Sequence, residues 1–427
     1  MAYSDMTDRQ LEALKDELEA EHAKFAAKGL SLNMARGKPS PAQLELSLPM
    51  LDILGSDALL FAEDGTDCRN YGVCAGIPEA RRLMGQMMEH DPERVCVFGN
   101  SSLNIMYDLV CHGYVHGYLG QAPWKDEMPV KWLCPVPGYD RHFAITESFG
   151  IQMIPIPCND GGPDMDEVER LVRNDASVKG IWCVPQYANP SGITYSDETV
   201  ERLAGMECAA ADFRIFWDNA YCVHHLRSEH GKVADIAAAC ERAGNPDRYF
   251  KFASTSKITL PGAGIAAVAA SAENIAEIEK RIGIQTVGYD KLNQLRHVRF
   301  FGDLAGIEDH MEKHAAIIAP KFDEVDRILE SGLAGTGCAT WSKPEGGYFV
   351  SFTGYDGTAK RTVELAKQAG VTMTGAGATW PLRCDPHDSN IRIAPTLPSI
   401  EELAEAMEIF VCCVKLASVE AILAERG

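Results

Sequence analysis

No run in this 427-residue sequence reaches the roughly 18 consecutive apolar residues that a membrane-spanning helix needs. The first 25 residues, MAYSDMTDRQLEALKDELEAEHAKF, are charged throughout and lack the apolar stretch of a secretory signal, so the expected location is the cytoplasm. Cys-x-x-Cys is missing as well. The 14 cysteines are scattered and only Cys412 and Cys413 adjoin, which argues against a zinc or disulfide framework and for small buried thiols. Positive charge is scarce: 40 Lys and Arg face 61 Asp and Glu, a net charge of −21. That balance argues against a surface built to bind nucleic-acid phosphates, although a few local cations can still hold an anionic substrate. Low-complexity tracts and internal repeats are absent too. What remains is ordinary globular composition, 46% hydrophobic and 24% charged, in a chain long enough for two or three domains.

Leu11, Leu14, Leu18 and Phe25 mark one face of a helix over residues 7–28. From about residue 70, helical patterns alternate with seven short apolar runs: VCVFGN (95–100), VKWLCPV (130–136), IQMIPI (151–156), KGIWCVPQ (179–186), RIFWDNAY (214–221), YFKFAS (249–254) and GIAAVAAS (264–271). That rhythm predicts an α/β fold with a mostly parallel sheet covered by helices on both faces. After about residue 305 the pattern changes to long helices (307–331, 357–369, 399–424) with a few strands, WSKPEGGYFVSF and NIRIAPTL, which predicts a smaller α+β domain. The expected division is residues 1–50 as an N-terminal arm and part of the small domain, 51–305 as the large domain, and 306–427 as the rest of the small one.

Polar residues cluster at the C-terminal ends of these strands, where open α/β sheets bind ligands. Gly99-Asn100-Ser101-Ser102 leads into a helical run, so its backbone N–H groups and hydroxyls suit a phosphate; the plain alternative is that Ser101 merely caps the helix. Asn189-Pro190-Ser191-Gly192 reads first as a tight turn. Asp218, in Asp218-Asn219-Ala220-Tyr221, places a carboxylate at the end of an apolar strand, where it needs a partner. Lys257, closing Ser254-Thr255-Ser256-Lys257, is either a surface amine or a nucleophile in a crevice. The pairs His112/His116 and His310/His314 share a helix face at i,i+4, but they lack the glutamate of a zinc-protease motif, and no metal is expected. His224 and His225 follow the Asp218 turn and carry no assigned role.

Taken together, the order and spacing of these motifs resemble the fold-type I pyridoxal-phosphate aminotransferases, and within them a divergent bacterial subgroup of aspartate aminotransferases. The likeness rests on Tyr71 with Gly76-x-Pro-x-x-Arg, Ser101-Ser102, Pro137-Gly138-Tyr139, NPSG, DNAY, STSK, EGGYF (345–349) and IRIAP with Arg392, and it spans nearly the whole chain. It implies a large domain with a seven-stranded, mostly parallel sheet, a smaller α+β domain, and a homodimer with the active site at its interface. Lys257 then carries pyridoxal 5′-phosphate as a Schiff base and moves the substrate proton. Asp218 pairs with the pyridine nitrogen, Tyr221 and Asn189 bond the ring's phenolic oxygen, and Tyr139 stacks on the ring. Ser101, Ser102 and Ser254 hold the phosphate, with Tyr71 reaching it from a neighbouring subunit. Arg392 clamps the substrate α-carboxylate through a fork that lysine cannot copy. One position departs from the family: Ile265 stands where an arginine usually pairs with the phosphate.

The resemblance implies transfer of the amino group of L-aspartate to 2-oxoglutarate by a ping-pong route. A second substrate carboxylate needs a second cation, and the candidates are Arg36, Arg141, Lys291, Arg296 and Arg299. Aromatic or other amino-acid substrates and a β-lyase reaction are the alternatives within the class. A non-catalytic, aminotransferase-like ligand sensor is the alternative outside it, disfavoured because the stretch before the matched region is acidic rather than DNA-binding.

Overall fold

The computed structural model describes residues 2–427. Its main sheet has eight strands in the spatial order Val95–Phe98, Ala266–Ala269, Tyr249–Ser254, Arg214–Asp218, Val178–Cys183, Lys131–Val136, Gln152–Asn159 and Gly162–Pro163. The five consecutive strands from Tyr249–Ser254 to Gln152–Asn159 pair in parallel. Ala266–Ala269 runs antiparallel to both neighbours. The seven expected strands are all present, and the eighth is a two-residue antiparallel pairing on the edge.

Apart from the strand Gln152–Asn159, which is mostly half-buried or exposed, the long strands are buried on both faces, which is why they read as continuous apolar runs. Trp132, Trp182, Phe216 and Phe250 pack on one face with Trp124 and Tyr118. Ile181, Cys183, Ile215 and Trp217 face the other side, against Val200, Leu203 and Ile236. Asp218 lies two residues beyond Phe216 and therefore shares its face. This alternation carries the catalytic carboxylate candidate to the top of the aromatic layer.

The chain from Leu304 onward forms a three-stranded antiparallel sheet in the order Ala339–Trp341, Val350–Gly354, Asn390–Ile393, with the long helices Leu304–Leu333 and Ile400–Arg426. The N-terminal helix Asp8–Ala27 starts with a capping box, Thr7 with Gln10, and lays Leu11 and Leu18 into the core that includes Phe410, Cys413 and Val414. Arg426 reaches back to Asp8 at 3.0 Å. All 14 cysteines are free thiols. Among the described residues, no helix is long and apolar enough to cross a membrane.

Candidate active site

Asp218 ends its strand 3% exposed. A carboxylate cannot be buried there unsatisfied, and its Oδ2 accepts a 3.0 Å hydrogen bond from Nε2 of His142. Because an ionised carboxylate only accepts, that bond fixes the proton on Nε2. His142 sits in the helix Asp140–Ser148 and stacks on Trp182, with ring centroids 4.6 Å apart and 14° between planes. Oδ1 of Asp218 is buried with no partner. The site thus presents one oriented acceptor, aimed and unused.

Lys257 reaches the same cleft with Nζ 4.8 Å from the centre of the Tyr221 ring. Its ammonium pKa is pushed down, mostly by burial and further by Arg392, with Asp218 pulling the other way. Burial likewise drives the Tyr221 hydroxyl well above its ordinary pKa. Behind Lys257, the Tyr348 hydroxyl donates to its carbonyl at 3.2 Å and accepts from Gln43 Nε2 at 2.9 Å. Tyr139, at the start of the His142 helix, sits edge-on to that imidazole with ring centroids 4.9 Å apart.

Arg392 comes from the other sheet, in the strand Asn390–Ile393, and is 6% exposed. Its Nη1 donates to Asn189 Oδ1 at 3.2 Å and to Asp140 Oδ1 at 2.9 Å, and the guanidinium lies 4.8 Å from the Phe349 ring centre. Lys257, Tyr221, Tyr139, Asn189 and Arg392 line one cavity of about 230 Å³ together with Arg36, Lys38, Asp140 and Arg141.

The phosphate candidates form a neighbouring group. Ser101 occupies the N-cap of the helix Ser102–His116, yet its side chain makes no capping hydrogen bond. Ser254 Oγ donates to Ser256 Oγ at 3.1 Å, and Ser256 Oγ donates to the Asn100 carbonyl at 2.8 Å, tying the two turns together. Ile265 is 1% exposed and packs in the core with Ile77 and Leu295, so position 265 faces away from solvent. Tyr71 is 87% exposed and stands apart from the cleft of its own chain.

Of the five candidates for a second carboxylate, Arg36 and Arg141 line the cavity. The other three are held elsewhere: Lys291 Nζ donates to Gly72 O at 3.0 Å, Arg296 to Asn293 and Ala263 O, and Arg299 to Leu59 O. Sequence reading missed Asp140, His142, Lys38 and Gln43, and quoted Tyr348 and Phe349 without a role. His142 follows Tyr139 by three residues, a helical spacing that was the one available signal.

The His310/His314 pair belongs to a buried hydrogen-bond chain. His314 Nδ1 lies 3.0 Å from Gln43 Nε2, His314 Nε2 lies 3.1 Å from His310 Nε2, and His310 Nε2 lies 2.9 Å from Ile258 O. Burial lowers the pKa of His297 and His314 to about 4 and that of His224 well below its usual value. The unfolded chain titrates these groups near pH ~6.5, so it binds more protons than the folded chain between pH ~4 and ~6.5. Stability is therefore lost as pH falls through that window. A series of urea midpoints from pH 7 to 4 checks this, and His314→Gln is expected to flatten the slope. Equal midpoints at both ends contradict it.

A family profile described as aspartate amino-transferase matches residues 6–426. A Corynebacterium glutamicum aspartate aminotransferase is 46% identical over 421 residues, covering 98% of this chain and 97% of that protein. The crystal structure of an aspartate transaminase from that organism superposes with a TM-score of 0.96 at 46% identity, covering 99% of each chain. At 18% identity, the α-aminoadipate aminotransferase of Thermus thermophilus, complexed with N-(5′-phosphopyridoxyl)-L-leucine, shares the fold, with a TM-score of 0.73 over 94% of this chain and 95% of that one. Aminotransferases of this fold type depend on pyridoxal phosphate in general.

Proposed function

We propose that this chain, which belongs to the aspartate aminotransferase family and is an aminotransferase, moves the amino group of L-aspartate to 2-oxoglutarate, giving oxaloacetate and L-glutamate. The observation that carries the reading is the meeting, in one cavity, of a buried-side amine (Lys257) and a carboxylate clamp (Arg392) with further cations at the rim. The aspartate-named relatives at 46% identity support the choice of substrate.

The residues present fit pyridoxal phosphate. The orphaned Oδ1 of Asp218 is an acceptor waiting for a ring N–H. Tyr139 offers an aromatic face, Tyr221 and Asn189 polar atoms, Ser101 and Ser102 hydroxyls at a helix N-terminus for the phosphate, and Ser254 a further hydroxyl at the end of its strand. When bound, the cofactor supplies a sink for the electron pair left when the substrate's Cα proton departs. Asp218 would hold a protonated ring nitrogen, and His142 holds Asp218 in place. Lys257 would anchor the cofactor, and burial, which pushes its ammonium pKa down, would favour the free amine that takes up and returns the Cα proton. Arg392 would orient the α-carboxylate, and Arg36 and Lys38 would provide charge for the side-chain carboxylate.

Exposed Leu48, Leu51, Leu59, Phe61 and Tyr71, with Ile284 and Val287, support a homodimer in which Tyr71 serves the neighbouring subunit's phosphate site. The divisions at residues 50/51 and 305/306 and a cytoplasmic location belong to the same reading. A panel of amino acids tested with and without 2-oxoglutarate examines the proposal. Aspartate is expected to give the highest kcat/KM among proteinogenic amino acids other than glutamate, with sustained turnover only when the oxoacid is present. A preference for phenylalanine or tyrosine moves the substrate to the aromatic class, and oxoacid-independent turnover identifies a lyase.

A further inference from the structure

Arg392 is buried, and a buried guanidinium without a counter-ion is strongly destabilising. That counter-ion is Asp140, whose Oδ1 accepts from Nη1 at 2.9 Å. Asp140 is also the single carboxylate among the residues that line the cavity, facing Arg36, Lys38, Arg141, Lys257 and Arg392. It stands at the first position of the helix Asp140–Ser148 with its side chain 31% exposed, so water can receive it. Its second oxygen, Oδ2, lies 4.0 Å from Nε of Arg141, and that arginine is 45% exposed. Nε of Arg392 is buried and donates to no protein group.

We propose that Asp140 is a resident counter-ion: it holds the Arg392 clamp in the free enzyme, and an incoming carboxylate displaces it toward Arg141. The exchange replaces one carboxylate by another on Arg392, so the buried charge is never left bare. Asp140 needs only to give up its Arg392 bond and close the gap to Arg141. The device sets affinity: a ligand that brings a carboxylate must compete with Asp140, and a ligand without one gains nothing by entering. It rests on the reading that Arg392 receives the substrate carboxylate.

The test is binding of succinate, a dicarboxylate with no amino group to transfer, to the holoenzyme, followed by calorimetry. In Asp140→Asn the competing interaction drops from charge-assisted to neutral, a difference of about 1.4 kcal/mol, so the Kd is expected to fall about tenfold. Inhibition by chloride is expected to strengthen in the same variant, because Arg392 then carries an uncompensated charge. Asp140→Ser, which shortens the side chain, is expected to behave alike and serves if the asparagine variant folds poorly. An unchanged or weaker Kd in either variant overturns the proposal and makes Asp140 a group that merely orients Arg392. Arg392→Lys separates the two levels of the argument. Weakened succinate binding there, partial or complete, upholds the clamp, whereas full retention removes the clamp reading itself, whatever Asp140→Asn does.

Discussion

Replacing Lys257 with alanine is expected to lower amino-group transfer by at least about 10⁴-fold, because one side chain supplies both the anchoring amine and the mobile base. The size of the loss follows from the geometry. Lys257 stands over Tyr221 in the cavity that holds Arg392, and the one other amine lining that cavity, Lys38, is on an exposed loop. The same substitution is expected to leave the urea midpoint unchanged or raised. Burial disfavours the Lys257 ammonium, so removing it relieves a cost that the fold otherwise carries. Steady-state rates and urea melts on one preparation check both halves. A residual rate near one hundredth of wild type contradicts the assignment of Lys257.

The second large effect concerns Arg392. Removing one partner of a buried, hydrogen-bonded charge pair costs about 2–5 kcal/mol, so Arg392→Ala is expected to reduce kcat/KM for aspartate by roughly 30- to 5,000-fold. The alanine variant strands Asp140 and leaves Asn189 Oδ1 without its donor. Arg392→Lys keeps the charge but loses the fork and is expected to recover only part of the loss. An amine substrate lacking the α-carboxylate is expected to react no more slowly in Arg392→Ala than in wild type. Equal losses for both kinds of substrate contradict a clamp and point to general damage.

How much of this was legible in the sequence depended on whether meaning was local. All seven apolar runs contain strands: apart from Gln152–Asn159 they are buried on both faces, and burial leaves a compositional mark. The Gly162–Pro163 strand was too short to leave one. The helix Lys291–Phe301 hid for another reason: the face it buries carries Lys291, Gln294 and His297 beside Leu295 and Phe301, with Lys291 donating to Gly72 O and His297 paired with Thr255. Apolar periodicity does not register such a face. In the site, Asp218, Lys257, Asn189 and Tyr139 stood out because each ends a strand or opens a turn. Gln43 acts through Tyr348, 305 residues away, and Asp140 through Arg392, 252 residues away. Neither carries a sign of its role in its neighbours.

The charge reading had the same character. A net charge of −21 argued against a nucleic-acid surface but gave no hint that Arg36, Lys38, Arg141 and Arg392 converge on one cavity. Lys291, Arg296 and Arg299 looked equally eligible in sequence, and only folding showed that backbone carbonyls and Asn293 occupy them.

The central claim is that Lys257, Asp218 and Arg392 together make a pyridoxal-phosphate site that accepts L-aspartate. Its most direct test is the visible absorption spectrum of the purified protein, recorded before and after addition of L-aspartate with no oxoacid present. The account predicts a yellow, lysine-bound cofactor band that is replaced by the band of the cofactor's amine form and returns when 2-oxoglutarate is added. A protein that shows no cofactor band even after incubation with pyridoxal phosphate contradicts the account, and it would mark Ile265 as a true loss of the phosphate site.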